Sequence, residues 1–229
     1  MKKILRTIAF LTIATLIFST TLLVNLFYWA TNSEFYEHVQ LQNKVSSVVK
    51  LSQQQINTIN KRIIKYLTLR LNNLNIKYTV NGKITHIFNA KELTHMQDVK
   101  KLFIYGYAFV AVASLIIAII IIKLLLNKSL KNLIKITVVT PFSLIIISVL
   151  VISIVLLNFN FWFTIFHKII FTNNSWLLDP QTDILIQIMP LNFFISMFTH
   201  IVMTSIVSLG IITILGFCTT KLLKKMVTK

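Results

Sequence analysis

The sequence predicts an all-α integral membrane protein, with four transmembrane helices, a small α+β extracytoplasmic subdomain (helix plus β-hairpin) and an aromatic interfacial segment. Three observations lead there. Of 229 residues only 13% are charged and 55% are hydrophobic, with a mean hydropathy of +0.77. A soluble domain carries roughly 25% charged residues, so a water-facing core would go uncovered. Four stretches, 8–30, 102–122, 136–157 and 191–220, contain no Asp, Glu, Lys or Arg, and each reaches the about 20 residues that cross a bilayer as helix. Finally, 4 Gly, 3 Pro and a single cysteine, Cys218, exclude a collagenous chain, a disulfide framework and a Cys-based metal cluster.

Taken in order, residues 1–30 hold Lys2, Lys3 and Arg6 ahead of the first apolar run. That run exceeds the roughly 7 to 15 residues of a signal core and no small-x-small cleavage site follows, so it reads as a retained helix. Residues 31–101 form the first outer segment. Residues 102–157 hold the second and third helices with a cytoplasmic loop at 123–135, residues 158–190 the interfacial segment, and 191–229 the fourth helix with its tail. The short segments 1–7, 123–135 and 221–229 carry three, four and four Lys/Arg and no acid. The positive-inside rule therefore puts both termini and the middle loop in the cytoplasm. Segment 31–101 is itself basic, with eleven Lys/Arg against four acids, but segments longer than about 60 residues cross largely regardless of charge.

A net charge of +17 does not make a nucleic-acid groove here. The cations lie on both sides of the membrane, an arrangement suited to anionic lipid headgroups. The reading carries membrane lipid as a partner, no nucleic acid, no metal, no cofactor and a monomeric state.

All six carboxylates, Glu34, Glu37, Glu92, Asp98, Asp179 and Asp183, and four of five histidines fall in the two outer segments, so acid/base chemistry belongs on that face. Ser52 and Gln55 fit a capping box opening an amphipathic helix with Ile56, Ile59, Ile63, Ile64 and Leu67 on one side. Asn81-Gly82 between two short β-prone runs is a hairpin signal. Asn89 with Glu92 marks a second helix start that runs through Lys101 into the second span. On it Glu92, His95 and Asp98 share a face, which admits either a carboxylate-oriented imidazole or a solvated helix with local charge pairs. In the second outer segment Phe159, Phe161, Trp162, Phe163, Phe166, Phe171 and Trp176 crowd around His167, and rings of this kind favour the headgroup level. Asp179-Pro180 reads as the N-cap and first residue of a short helix ending before Pro190. His200 lies inside the last span, where an ionisable group is a functional candidate or a neutral ring bonded to a neighbouring helix.

Glu92-Leu93-Thr94-His95-Met96-Gln97-Asp98-Val99-Lys100, joined with Phe166-His167-Lys168-Ile169-Ile170-Phe171, Trp176-Leu177-Leu178-Asp179-Pro180-Gln181-Thr182-Asp183, Pro190 and Phe193-Phe194, resembles the bacterial lipoprotein intramolecular transacylase family, Lit. The resemblance implies a multi-pass enzyme of the bacterial cytoplasmic membrane with its site on the extracytoplasmic face. It implies movement of the sn-2 acyl chain of a diacylglyceryl lipoprotein onto the α-amine of its N-terminal cysteine. His95 and His167 are then the catalytic acid/base pair; the aromatic setting of His167 favours it as base on the amine with His95 as proton donor, and the reverse assignment stays open. Glu92, Asp98, Asp179 and Asp183 are orienting groups, and Phe166, Phe171, Trp176 and Lys100 hold substrate. Other readings of the same residues are a lipid-remodelling hydrolase, a membrane transporter and a non-catalytic scaffold or sensor. The transporter lacks the charged intramembrane groups that ion-coupled carriers use.

Overall fold

The computed structural model describes residues 2–80 and 83–227. Contacts divide the chain into two compact units, one of Met1–Phe27, Gly106–Ile154 and His200–Lys229, the other of Tyr28–Tyr105 and Val155–Thr199. Four helical segments are long and apolar enough to cross a membrane: Thr7–Ala30, Ala90–Leu126, Leu130–Leu157 and Leu191–Lys225. The protein is a multi-pass membrane protein.

In the first unit the apolar helices α1 (Lys2–Ala30), α7 (Thr140–Leu157) and α10 (Leu191–Val227), with the turn before α7, supply a small core of Ile17, Ile136, Leu144 and Leu209, against which Ile117, Ile120 and Leu124 of α5 (Ala90–Leu126) pack. Most of their large side chains, including Val112, Leu115, Leu150 and Phe217, face outward, as lipid-facing positions should. A π-helical turn, Lys135–Val139, precedes α7. Pro141 has no N–H to continue an α-helical ladder, and the Thr140 hydroxyl reaches back to the Lys135 carbonyl at 2.8 Å. Gly216 of α10 lies against this turn; a Cβ there would sit 2.6 Å from the Thr137 carbonyl oxygen. The expected loop 123–135 shrinks to residues 127–129 between α5 and α6 (Leu130–Ile134). Lys128 closes α5 in the left-handed region, φ 49°, where its N–H and that of Ser129 bond Leu125 O and Leu124 O. A Schellman stop has thus been made without glycine.

The second unit holds α2 (Ser33–Gln42), α3 (Val45–Val49), α4 (Gln53–Leu67), β1 (Lys77–Val80), β2 (Lys83–His86), α8 (Phe159–Ile170) and α9 (Ile184–Ile188). It also contains the first turns of α5 and α10. The Ser52/Gln55 capping box opens α4, whose Ile56, Ile59, Ile63 and Leu67 are buried. Asn60 is buried on the same face, where it and Gln40 exchange two amide hydrogen bonds, and Gln40 also donates to Ile188 O at 3.1 Å. One satisfied polar knot therefore joins α2, α4 and α9. β1 and β2 pair antiparallel, Lys77 opposite His86; the Asn81-Gly82 turn lies outside the described residues.

α5 is 37 residues long, about 55 Å at 1.5 Å per residue, against a hydrocarbon core of about 30 Å. Its polar residues 90–101 therefore precede the apolar run that begins at Leu102 and stand outside it. The aromatic segment contains a regular helix that the reading as an interfacial segment did not include. α8 is capped by the Asn158 side chain, exposes Phe161, Trp162, Phe166 and Ile169, and buries His167 on the opposite side. The expected helix start at Asp179-Pro180 is displaced. Asp179 Oδ1 accepts from Gln181 N and its carbonyl from Thr182 N and Asp183 N, so the proline closes a turn, and α9 begins only at Ile184.

Candidate active site

α5 carries His95 one turn beyond its start, and α8 carries His167 in its last turn. Packing within the second unit brings the two rings to a centroid separation of 6.0 Å. Aromatic side chains wall the pair. Phe171 lies edge-on to His95 at 5.0 Å, and His167 contacts Phe163 at 4.2 Å, Trp176 at 5.1 Å, Phe166 at 5.4 Å and Phe171 at 5.5 Å. His167 is only 8% exposed.

The ring nitrogens have different surroundings. His167 Nδ1 lies 2.7 Å from the Phe163 carbonyl. A carbonyl can only accept, so Nδ1 carries the proton of the neutral ring and Nε2 keeps the lone pair. His95 Nδ1 is buried with no hydrogen-bond partner among the described residues. Burial, then the neighbouring His167, hold the His95 imidazole down to about 4 despite the opposing pull of Asp98. Burial likewise lowers His167, partly offset by the Phe163 carbonyl. Both rings are therefore neutral near pH 7, where one ring can accept a proton while the other donates a hydrogen bond.

The four acids act differently from a carboxylate bonded to imidazole. Glu92, 1% exposed, forms a reciprocal capping box with Asn89, its Oε2 accepting Asn89 N at 2.7 Å while Asn89 Oδ1 accepts Glu92 N at 2.9 Å. Its other oxygen accepts Leu185 N at 2.6 Å, which caps α9, whose own N-cap Asp183 makes no side-chain cap bond. Burial pushes the Glu92 carboxyl above the ordinary range, with the Leu185 and Asn89 N–H groups opposing and Asp183 adding to the rise. Asp183 accepts from the Asn89 amide and from Asp179 N, both at 2.8 Å. Burial works against its charge, yet those bonds, the Thr182 hydroxyl and Lys91 hold it below the ordinary range. Asp98 accepts from Asn173 at 2.7 Å and Lys101 at 3.0 Å, and the Asn173 amide foremost holds its carboxyl low.

In place of a bond from Glu92 or Asp98 to His95 stand bonds that fasten segment 158–190 to the start of α5. The carboxylates position the helices that carry the imidazoles. Asp179 is exposed and shapes its own turn. Lys100, expected at substrate, instead donates to Leu71 O at 2.8 Å and lies 4.2 Å over the Tyr66 ring. Phe166, Phe171 and Trp176 do line the pair. His38 and His86 are exposed away from it, His86 against the Asn75 amide, and His200 is exposed on α10.

Sequence reasoning counted Phe163 among the aromatic residues but not its carbonyl as the partner of His167, and passed over Asn173 and the Leu185 N–H as partners of the carboxylates. Only the i,i+4 spacing of Phe163 and His167 on a helix could have pointed to the first. Among the described residues no group of three His, Cys, Asp or Glu is placed to hold a metal ion.

Four apolar spans and, among the described residues, an imidazole pair walled by aromatic rings define the class: a membrane-integral protein with a candidate acid/base site. The family model for lipoprotein intramolecular transacylase Lit matches residues 7–194, and the chain belongs to that enzyme family. Among solved structures, that of the membrane-integral lipoprotein intramolecular transacylase Lit from Bacillus cereus aligns at 21% identity and a TM-score of 0.73, covering 96% of each chain. A second structure of that protein, bearing a histidine-to-arginine mutation, aligns at 18% identity and a TM-score of 0.72 over 100% of this chain and 96% of the other. A third, with histidine mutated to alanine, gives 19% and 0.70 over 98% and 96%. These likenesses establish the fold. No curated protein matches the sequence.

Proposed function

We propose that this protein transfers the sn-2 acyl chain of a diacylglyceryl lipoprotein to the α-amine of the same molecule's N-terminal cysteine, on the extracytoplasmic side of the bacterial cytoplasmic membrane. The observation that carries the reading is the neutral imidazole pair, in which His167 is locked with Nε2 free of the proton. Sidedness is supported by the charge asymmetry of the short segments, which also leaves both termini in the cytoplasm.

The α-amine attacks the sn-2 ester carbon and His167 Nε2 takes the proton it sheds. The neutral His95 ring donates its N–H to the oxyanion. Collapse breaks the bond to the glycerol oxygen, which takes the proton back from His167, leaving an amide and a free sn-2 hydroxyl with no net proton change. Amine and ester belong to one substrate, so correct placement alone is worth on the order of 7 to 11 kcal/mol. An α-amine with a pKa near about 8 is partly unprotonated at neutral pH, and a base held neutral by burial is ready to accept from it. Phe166, Phe171 and Trp176 offer apolar walls to acyl chains, and the protein works as a monomer among membrane lipids, without metal or cofactor.

Mass spectrometry of a lipoprotein N-terminus tests this. His95→Ala and His167→Ala should each lower formation of the N-acyl, S-monoacylglyceryl form by at least about 100-fold, the lower bound for an acid or base group. His38→Ala should leave it unchanged. Near-normal conversion by both site variants would remove the mechanism, and free fatty acid from diacyl lipid alone would indicate a hydrolase.

A further inference from the structure

A cavity of ≈ 660 Å³ opens beside the start of α5, the helix that carries His95, lined among others by Lys50, Leu51, His86, Phe88, Asn89 and Glu92. Its size falls within the roughly 300 to 1,000 Å³ of ligand sites. His95 and His167 do not line it. Glu92 precedes His95 by three residues on one helix, a rise of about 4.5 Å, and the apolar run starts at Leu102, on the opposite side of His95 along α5. The cavity therefore lies toward the polar end of α5.

The lining is mixed. A chamber for acyl chains is apolar throughout, whereas here a lysine, an imidazole, an amide and a carboxylate alternate with aliphatic and aromatic side chains. Lys50 is exposed, and its ammonium makes no ion pair or hydrogen bond among the described residues. The Glu92 oxygens are already taken by Asn89 N and Leu185 N. The cavity thus offers one free cation, an imidazole edge and apolar walls, suited to peptide carbonyls and short side chains.

Substrate chemistry supplies the occupant. The reacting amine, the sulfur-linked lipid and the polypeptide all leave one cysteine. A site holding the first two at the imidazoles must give the third its own way out, beginning within one extended residue, about 3.5 Å. We propose that this cavity is the binding site for the first few residues of the lipoprotein polypeptide that follow the acylated cysteine. The proposal rests on the transacylase reading and adds a determinant of which lipoproteins are accepted.

The test uses the full chain in membranes and two substrates: a diacylglyceryl-cysteine amide, and a diacylglyceryl lipopeptide of about six residues, which spans roughly 20 Å extended. Leu51→Trp, which fills the cavity, and Lys50→Glu, which inverts its free charge, should each lower kcat/KM for the lipopeptide by about tenfold or more, through KM, the scale of one well-made contact. Both should leave the cysteine amide within about twofold. Equal loss on both substrates, or no loss on either, overturns the peptide site. A photocrosslinker on the third peptide residue should label residues 49–51 or 86–88, also in His95→Ala, where chemistry is blocked. Labelling elsewhere overturns the proposal. If the unaltered protein converts neither substrate yet crosslinks at the cavity, the transacylase reading fails while the peptide site stands.

Discussion

Glu92 is the residue whose loss the structure prices most clearly, because one buried carboxylate terminates two helices. Glu92→Ala strips the acceptor from Asn89 N at the start of α5 and from Leu185 N at the start of α9. A hydrogen bond to a charged group contributes about 1.5 to 3 kcal/mol, and a buried N–H left bare costs about 1 to 3 kcal/mol. Against this, the variant no longer buries a carboxylate, the effect that raises the Glu92 titration. The net loss should be about 2 to 4 kcal/mol, felt first as local opening of α9. Hydrogen exchange reads that directly: the amides of Leu185 to Ile188 should exchange about 30-fold faster or more, since each 1.4 kcal/mol is a factor of ten. Glu92→Gln, with one acceptor oxygen left and an NH₂ facing an N–H, should fall between wild type and alanine. Acyl transfer should drop in the same order although both imidazoles remain. A change below about threefold in exchange at α9 would show that Glu92 does not hold it and refute the two-helix cap.

Three further outcomes follow from particular contacts. His95 should titrate near about 4 by NMR of its labelled ring. Since the unfolded chain protonates near about 6.5 while the folded ring stays neutral, stability is full above that pH and falls as pH drops toward 4, by about 3 kcal/mol; a midpoint near 6.5 would contradict the burial. Gly216→Ala should lose about 1 to 3 kcal/mol in thermal denaturation, as overpacked helix contacts do, because its methyl meets the Thr137 backbone; unchanged stability would mean the π turn yields freely. In a Cys218→Ser background, cysteines at the exposed positions Lys61 and Asn174 should react with an impermeant thiol reagent added outside, and one at Asn127 should not; the reverse pattern would invert the topology.

How much of this was legible beforehand depended on the range of the forces involved. Membrane class, the four spans, the α4 and α5 capping boxes and the weight placed on His95 and His167 all came from local signals: unbroken apolar runs, a capping residue three positions from its partner, a short motif. Helix α8 escaped because its density of aromatic residues reads as a segment lying in the interface, which drew attention from the helical spacing of Asn160, Thr164, His167 and Lys168. Asp179-Pro180 misled because an aspartate before a proline can close a turn as readily as open a helix, and the nearby Asp183 decided for the turn.

By itself the sequence determined that this chain enters a membrane, where α4 and α5 begin, and that its carboxylates and four of its five histidines gather in two segments outside the apolar runs. The apolar length of a span and the capping boxes of α4 and α5 are properties of neighbours in the chain. Only the tertiary structure decided that His95 and His167 meet, that Phe163 sets the tautomer of one and burial leaves Nδ1 of the other bare, and that Glu92 bonds an amide 93 residues away. Those outcomes depend on which surfaces pack together, and a hydrogen bond between distant residues forms only after packing has excluded water from both partners.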